Sequence, residues 1–228
     1  MRKTYFVNIT IGLGLLVFSA LFFKLCSASV LATRPQMAIL DLERSAQKND
    51  LAQIKQHINR LQTAILLYPS NANFHSLNAR FNALLAIFEE QTKHTSYAKE
   101  HFAKAIQLEP TAFYHRARQV EFLYKQYGWS SKFKNVFSQA LNIGKYEKLP
   151  QNILLPIAFE NWSALPHSEK KYVHLMLGNM FTTNPRFFRQ AVMVAEKYCK
   201  LDLLKEHAIN PQQTKEINAK LKKHRGCE

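Results

Sequence analysis

The sequence predicts an all-α protein of antiparallel helix pairs packed side by side, behind one apolar N-terminal segment. Three observations carry this. Apolar residues recur every three or four positions along most of the chain, which is the period of a helix and not of a strand. Only 6 glycines and 8 prolines occur in 228 residues, too few for a fold of short strands and tight turns. A single stretch is apolar enough to span a bilayer, which excludes a polytopic membrane protein. A hydrophobic content of 47% excludes a wholly disordered chain, and the length suits one domain with a sizeable core plus a short leader.

Residues 1–32 form the leader. MRKTYFVN is basic, Ile9 to Phe23 is an unbroken run of apolar and small residues, and a weaker apolar stretch follows Lys24. Two readings stay open. Tyr5 to Phe23 is nearly long enough to anchor the chain in a membrane, with Lys24 snorkelling to the far interface. Val30-Leu31-Ala32 resembles the cleavage site of a signal peptide. The anchor, inserted through residues 5–31 of an inner membrane, is the favoured one. Arg2 and Lys3 then stay cytoplasmic, although Lys24 and Arg34 on the other flank weaken that orientation. Either way the body lies outside the cytoplasm, in the periplasm, anchored or soluble after cleavage.

Residues 33–48 read as a linker and the start of a helix. In residues 49–145 helical elements follow one another. Leu51, Ile54, Ile58, Leu61 and Ile65 share one face of a helix ending near Tyr68-Pro69. Phe74, Leu77, Phe81, Leu84, Leu85 and Phe88 point inward from a second, over about 73–90. Polar Thr92–Ser96 reads as a loop, and further helices are expected over about 97–108, 112–127 and 131–141. Pro110, Gly128 and Gly144 stop them, Gly144 as a C-cap. One pattern recurs. The second helix of a tetratricopeptide repeat reads A-x-x-x-F-x-x-A-x-x-x-x-P. Ala98, Phe102, Ala105 and Pro110 match all four positions, and Leu61, Ala64 and Pro69 match the last three with Leu for Phe. Phe133, Phe137 and Ala140 follow the same spacing, with Lys145 in place of Pro. A small Ala lets two helices approach, an aromatic fills the wedge between units, and Pro stops the helix so that the chain turns back. These residues are the expected packing positions of a tetratricopeptide-like solenoid.

Residues 146–209 read as a C-terminal helical region packed on the repeats. Ile153–Ser163 is a buried helix in which Pro156 is tolerable only in the first turn. Ser168 is a plausible N-cap for 169–181, and Asn184-Pro185 opens a helix with Phe188, Ala191, Val192 and Ala195 inward. Residues 210–228 form a basic polar C-terminal helix or tail, started by Asn210-Pro211.

The net charge is +15. Three of the 31 bases lie in the first 32 residues, so the rest carries 28 bases against 16 acids, a net +12. Such an excess favours anionic partners, though a solvated helix surface has the same composition. Nucleic acid is not expected behind an exported leader. Aromatics and bases mix over Phe113–Lys134, where Arg116, Arg118, Tyr124, Lys125 and Trp129 are the candidate ligand or partner surface. Core packing of the aromatics is the competing reading, and Trp162 is read as core. No H-E-x-x-H, H-x-x-x-H or C-x-x-C spacing occurs, so neither a metal nor another cofactor is expected, and Glu90 with His94 reads as a surface ion pair. Without a nucleophile motif or a glycine-rich phosphate loop, no enzymatic activity is expected. Cys199 and Cys227 pair or stay free thiols, depending on compartment. Cys26 lies in a poor match to a lipoprotein box.

Ala140-Leu141-Asn142-Ile143-Gly144, Trp162-Ser163-Ala164-Leu165 and Tyr198-Cys199, in that order after a leader and degenerate repeats, resemble the VpsP-type polysaccharide biosynthesis proteins of bacterial exopolysaccharide clusters. The chain departs from them at Gly144-Lys145-Tyr146-Glu147-Lys148, where Gly-Pro-Trp-Glu-Pro is usual. The resemblance implies a non-catalytic scaffold of exopolysaccharide assembly or export. Its partners would be proteins of that machinery and the anionic polysaccharide itself. A periplasmic carrier or chaperone for an anionic ligand is the alternative.

Overall fold

The computed structural model describes residues 2–89, 92–144, 146–147, 151–183 and 185–223, and these are helical with no strand among them. Ten α-helices are described: α1 (Arg2–Ser45), α2 (Leu51–Leu67), α3 (Ala72–Glu89), α4 (Thr92–Leu108), α5 (Phe113–Tyr127), α6 (Ser131–Gly144), α7 (Gln151–Glu160), α8 (His167–Thr183), α9 (Pro185–Lys197) and α10 (Pro211–Lys223). Short 3-10 segments cover Lys48–Asp50, Trp162–Ala164 and Leu201–His207. The chain divides into two compact units, Met1–Pro110 and Thr111–Glu228. The boundary lies where Pro110 follows α4, and α5 and α6 share their apolar faces with α7 and α8.

In the first unit α1 packs on α2 and α3, α2 on α3, and α3 on α4. The leader does not end in a linker. One helix runs from Arg2 to Ser45 with Pro35 inside it. Its residues 12–26 are exposed throughout, and α1 is long and apolar enough to cross a membrane. From there Ala28, Ala32, Pro35, Ile39 and Leu42 are buried at alternating spacings of four and three, a seam facing α2 and α3. An interior proline costs a helix about 3 kcal/mol, which burial of this seam offsets. The far end of the seam is fastened by Glu43, whose carboxylate takes a bidentate pair of hydrogen bonds from Arg80 of α3 at 2.6 and 2.5 Å.

Helix α2 buries Ile54, Ile58, Leu61 and Ala64, as its periodicity predicts. Helix α3 departs from the amphipathic expectation. Besides Phe74, Leu77, Phe81, Leu84 and Leu85 it buries His75, Ser76, Asn78, Arg80 and Asn82, because α1, α2 and α4 cover it on several sides. Residues 92–96 belong to α4 and not to a loop. Their helix continues directly into the turns that bury Ala98, Phe102 and Ala105.

In the second unit α5 packs on α6 and α7, α6 on α8, and α7 and α8 both on α9. Phe133, Phe137, Ala140 and Leu141 of α6 enter one core with Phe113, Ala117, Val120, Leu154, Phe159 and Met176. Gly144, the last described residue of α6, is needed for close packing: a Cβ there would fall on the Phe113 ring. Among the described glycines, Gly128 after α5 is the one in the left-handed region, at φ 57°. Pro156 sits in the second turn of α7, and that helix stops at Glu160, before the Trp162–Ala164 turn. The inward face of α9 is Phe188, Ala191, Val192 and Ala195, as read from its spacing. At its end Cys199 takes φ 54°, with Lys200 N–H bonded to Ala195 O at 2.8 Å and Cys199 N–H to Glu196 O. This left-handed C-terminal closure usually recruits glycine. Helix α10 is capped by Asn210, whose Oδ1 accepts the Gln213 N–H at 2.9 Å, and it buries Ile217. Ser168, expected as a cap, instead donates its hydroxyl to the Glu169 carboxylate.

Candidate functional site

Three groups of polar side chains stand out. The first is the aromatic and basic stretch of α5. Phe113, Ala117 and Val120 turn into the second unit's core, which fixes where the other positions point. Tyr114, Arg118, Glu121 and Lys125 fall on one stripe at helical spacing. Arg118 Nε donates to Tyr114 Oη at 2.9 Å and the guanidinium lies over that ring at 5.2 Å. Arg118 Nη1 and Lys125 Nζ both donate to Glu121, at 2.8 and 2.9 Å. Burial opposes ionisation of Glu121, and the two cations overcome it and hold its carboxyl below the usual range. Two bases share one acid, so the stripe keeps a surplus positive charge.

The other α5 candidates do not join that stripe. Arg116 is turned about half a turn away from it and Tyr124 about a quarter-turn, toward the core face. Tyr124 packs on Phe133, accepts a hydrogen bond from Asn161 Nδ2 at 2.8 Å, and burial raises its pKa. Trp129 packs on Phe133 and Phe137 at 5.5 and 5.3 Å between ring centres. The structure thus commits Tyr124 and Trp129 to packing contacts. Arg116 Nε is buried without a hydrogen-bond partner among the described residues. Trp162 is half-buried at the edge of the same core, against Phe159 and His174, with Lys170 over its ring.

The second group is a histidine pair inside the first unit. His75 of α3 and His101 of α4 meet Nδ1 to Nδ1 at 3.0 Å, and His75 Nε2 lies 3.0 Å from Pro69 O. A carbonyl only accepts, so His75 carries its proton on Nε2. Its Nδ1 is then the acceptor, and His101 donates from Nδ1. Burial depresses the pKa of both, and each is also disfavoured as a cation by basic neighbours, His75 by Lys104 and His101 by His75 itself. The pair is a neutral polar tie between α3 and α4, and it gives Pro69 a role beyond stopping α2. His94 bonds Glu89 at 3.1 Å and Asn82 at 3.2 Å; Glu90, the partner expected from spacing, lies outside the described residues.

The third group joins α8 to the 201–207 segment. His174 Nδ1 meets His207 Nε2 at 2.9 Å, and Glu206 Oε2 lies 3.9 Å from His174 Nδ1. Trp162 packs edge-on to His174, and Phe181 edge-on to His207. Burial and the neighbouring His174 depress the pKa of His207. Sequence reasoning missed this cluster, since His174 lies more than thirty residues from Glu206 and His207 and 201–207 carries no helix signal. Two closely spaced residues, Glu206 and His207, were its one local trace.

Of the cysteines, Cys26 is an exposed free thiol and Cys199 is disulfide-bonded; Cys227 lies outside the described residues. No family model, no curated protein and no solved structure matches the chain.

Proposed function

We propose that the chain is a membrane-anchored, non-catalytic helical scaffold of the cell envelope, which offers a basic helical surface to partner proteins. The observation that carries this reading is the continuity of α1. Its apolar residues 12–26 are exposed, and the same helix then buries Ala28, Ala32, Ile39 and Leu42 in the first unit's core. Cleavage near Ala32 would cut through a packed helix and remove core residues, which favours a retained anchor over a signal peptide. The bonded Cys199 fits an oxidising compartment, and so supports a periplasmic body.

A tetratricopeptide-like stacking of the helices is part of the proposal. Burial of Leu61, Ala64, Ala98, Phe102, Ala105, Phe137 and Ala140 supports it, as does packing of helices on their second neighbours, α5 on α7 and α6 on α8. The partner surface would be the Tyr114–Lys125 stripe with its surplus charge. A role in exopolysaccharide assembly or export rests on the resemblance of residues 140–144, 162–165 and 198–199 alone.

The test is deletion of the gene with measurement of surface polysaccharide. Complementation uses the intact gene and one encoding a cleavable signal in place of residues 1–26, which spares the buried seam. Loss restored only by the intact gene is the expected outcome. Unchanged polysaccharide in the deletion strain overturns the polysaccharide role, and full rescue by the unanchored form overturns the anchor.

A further inference from the structure

We propose that His174, His207 and Glu206 form a binding site for a divalent cation of the zinc class, which ties the 201–207 segment to α8. One ligand atom from each residue lies within 4.8 Å of the others. The two imidazole nitrogens face each other at 2.9 Å. A tetrahedral ion with Zn–N bonds of about 2.0–2.1 Å needs those nitrogens about 3.3 Å apart, so the rings have to part by about 0.4 Å. Glu206 is the mobile ligand. It is 74% exposed and sits next to His207, so its carboxylate can swing the short distance required.

The surroundings suit an ion held by imidazole. Trp162 and Phe181 pack edge-on against the two rings and hold their planes. Leu201 and Leu204 are buried in the core, which fixes the segment that carries Glu206 and His207. Without an ion the gap between the facing nitrogens holds one hydrogen, since two N–H donors cannot point at each other at that distance. A divalent cation replaces that proton and gains a carboxylate. Two neutral nitrogens and one oxygen are the donor set of zinc, cobalt or nickel, whereas magnesium and calcium take oxygen ligands. Three protein ligands leave a fourth position for water. The His75–His101 pair offers no equivalent, because among the described residues His174, Glu206 and His207 alone bring three ligand atoms together.

The experiment uses the full chain in detergent, with Co2+ as the optical probe and Zn2+ as competitor. The wild-type protein is expected to bind one equivalent with a visible spectrum of tetrahedral type, displaced by Zn2+. His207→Gln and His174→Gln should each abolish that spectrum. Glu206→Gln, at an exposed position that leaves the fold alone, should weaken binding by more than about tenfold, since even outer-shell partners contribute roughly 10–100-fold. The double variant His75→Gln/His101→Gln should bind as wild type does. Absence of any cobalt spectrum in the wild type overturns the site. So does binding that persists undiminished in Glu206→Gln and His174→Gln, or that is lost in the His75/His101 variant.

Discussion

Neutralising Glu43 tests whether the anchor helix is part of the folded body. Glu43 stands near the end of α1, and its carboxylate accepts two hydrogen bonds from Arg80, at 2.6 and 2.5 Å. The Arg80 side chain is 6% exposed and that of Glu43 19%, so solvent screens the pair little. Removing one partner of a buried pair costs about 3–5 kcal/mol, because the other charge stays in a poorly solvated place. Glu43→Gln keeps an acceptor oxygen, so the lower end, about 3 kcal/mol, is expected. Replacing both residues by methionine removes the stranded charge, and such exchanges are often neutral or stabilising. The double variant is therefore expected within about 1 kcal/mol of wild type. Fluorescence is the wrong probe, since Trp129 and Trp162 both belong to the second unit. Hydrogen exchange of α3 amides reports the first unit directly. A loss of 3 kcal/mol speeds their exchange on the order of a hundredfold, at tenfold per 1.4 kcal/mol. Exchange within about twofold of wild type in Glu43→Gln, or a double variant no better than the single, refutes the reasoning.

Four further outcomes are expected. Ala28→Leu, at a fully buried position of α1, should destabilise the first unit by about 1–3 kcal/mol in denaturant titration, and Val30→Leu, 72% exposed on the same helix, should do nearly nothing. His57 is buried against Phe81 with both ring nitrogens unbonded among the described residues, so His57→Leu should stabilise by about 1–3 kcal/mol; a loss of stability would sink that account. Burial lowers the pKa of His57, His75 and His101 below the ordinary 6.5, so the unfolded chain takes up protons first as pH falls. Stability of the first unit should be full above about pH 6.5 and decline below it, by at most about 1.4 kcal/mol per pH unit for each histidine, with a flatter profile in His75→Gln/His101→Gln. Gly144→Ala places a methyl on the Phe113 ring and should destabilise the second unit by about 1–3 kcal/mol, read by tryptophan fluorescence.

Helix content, the apolar leader and the inward faces of α2, α4, α6 and α9 were legible in the sequence, because a face buried on one side repeats every three or four residues. Ile54, Leu61, Ala98, Phe102, Phe137 and Phe188 lie where that repeat puts them. Helix α3 was legible only in part. Asn78, Arg80 and Asn82 look like an exposed face until α1, α2 and α4 close over them, and their burial is tolerated through partners such as Glu43 and the Asn78–Asn82 bond.

Local sequence also misjudged continuity. Residues 33–48 read as a linker and a helix start, yet α1 runs unbroken through to Ser45; the seam from Ala28 to Leu42 is stabilised by helices that begin at residue 51 and beyond. The candidate site shows the same division. The mixture of aromatics and bases in α5 was visible, but which residues turn inward depended on Phe133, Phe137 and Asn161 packing against them. His174 and His207 carry no signal for each other across 33 residues, since metal-type spacing is readable only along a single helix or turn. Thus the sequence alone determined an all-α chain with one membrane-length apolar helix and a basic body, all consequences of composition and local period. Tertiary packing decided where that helix ends, which polar groups are buried, and which distant histidines meet, because those outcomes depend on surfaces far apart in the chain.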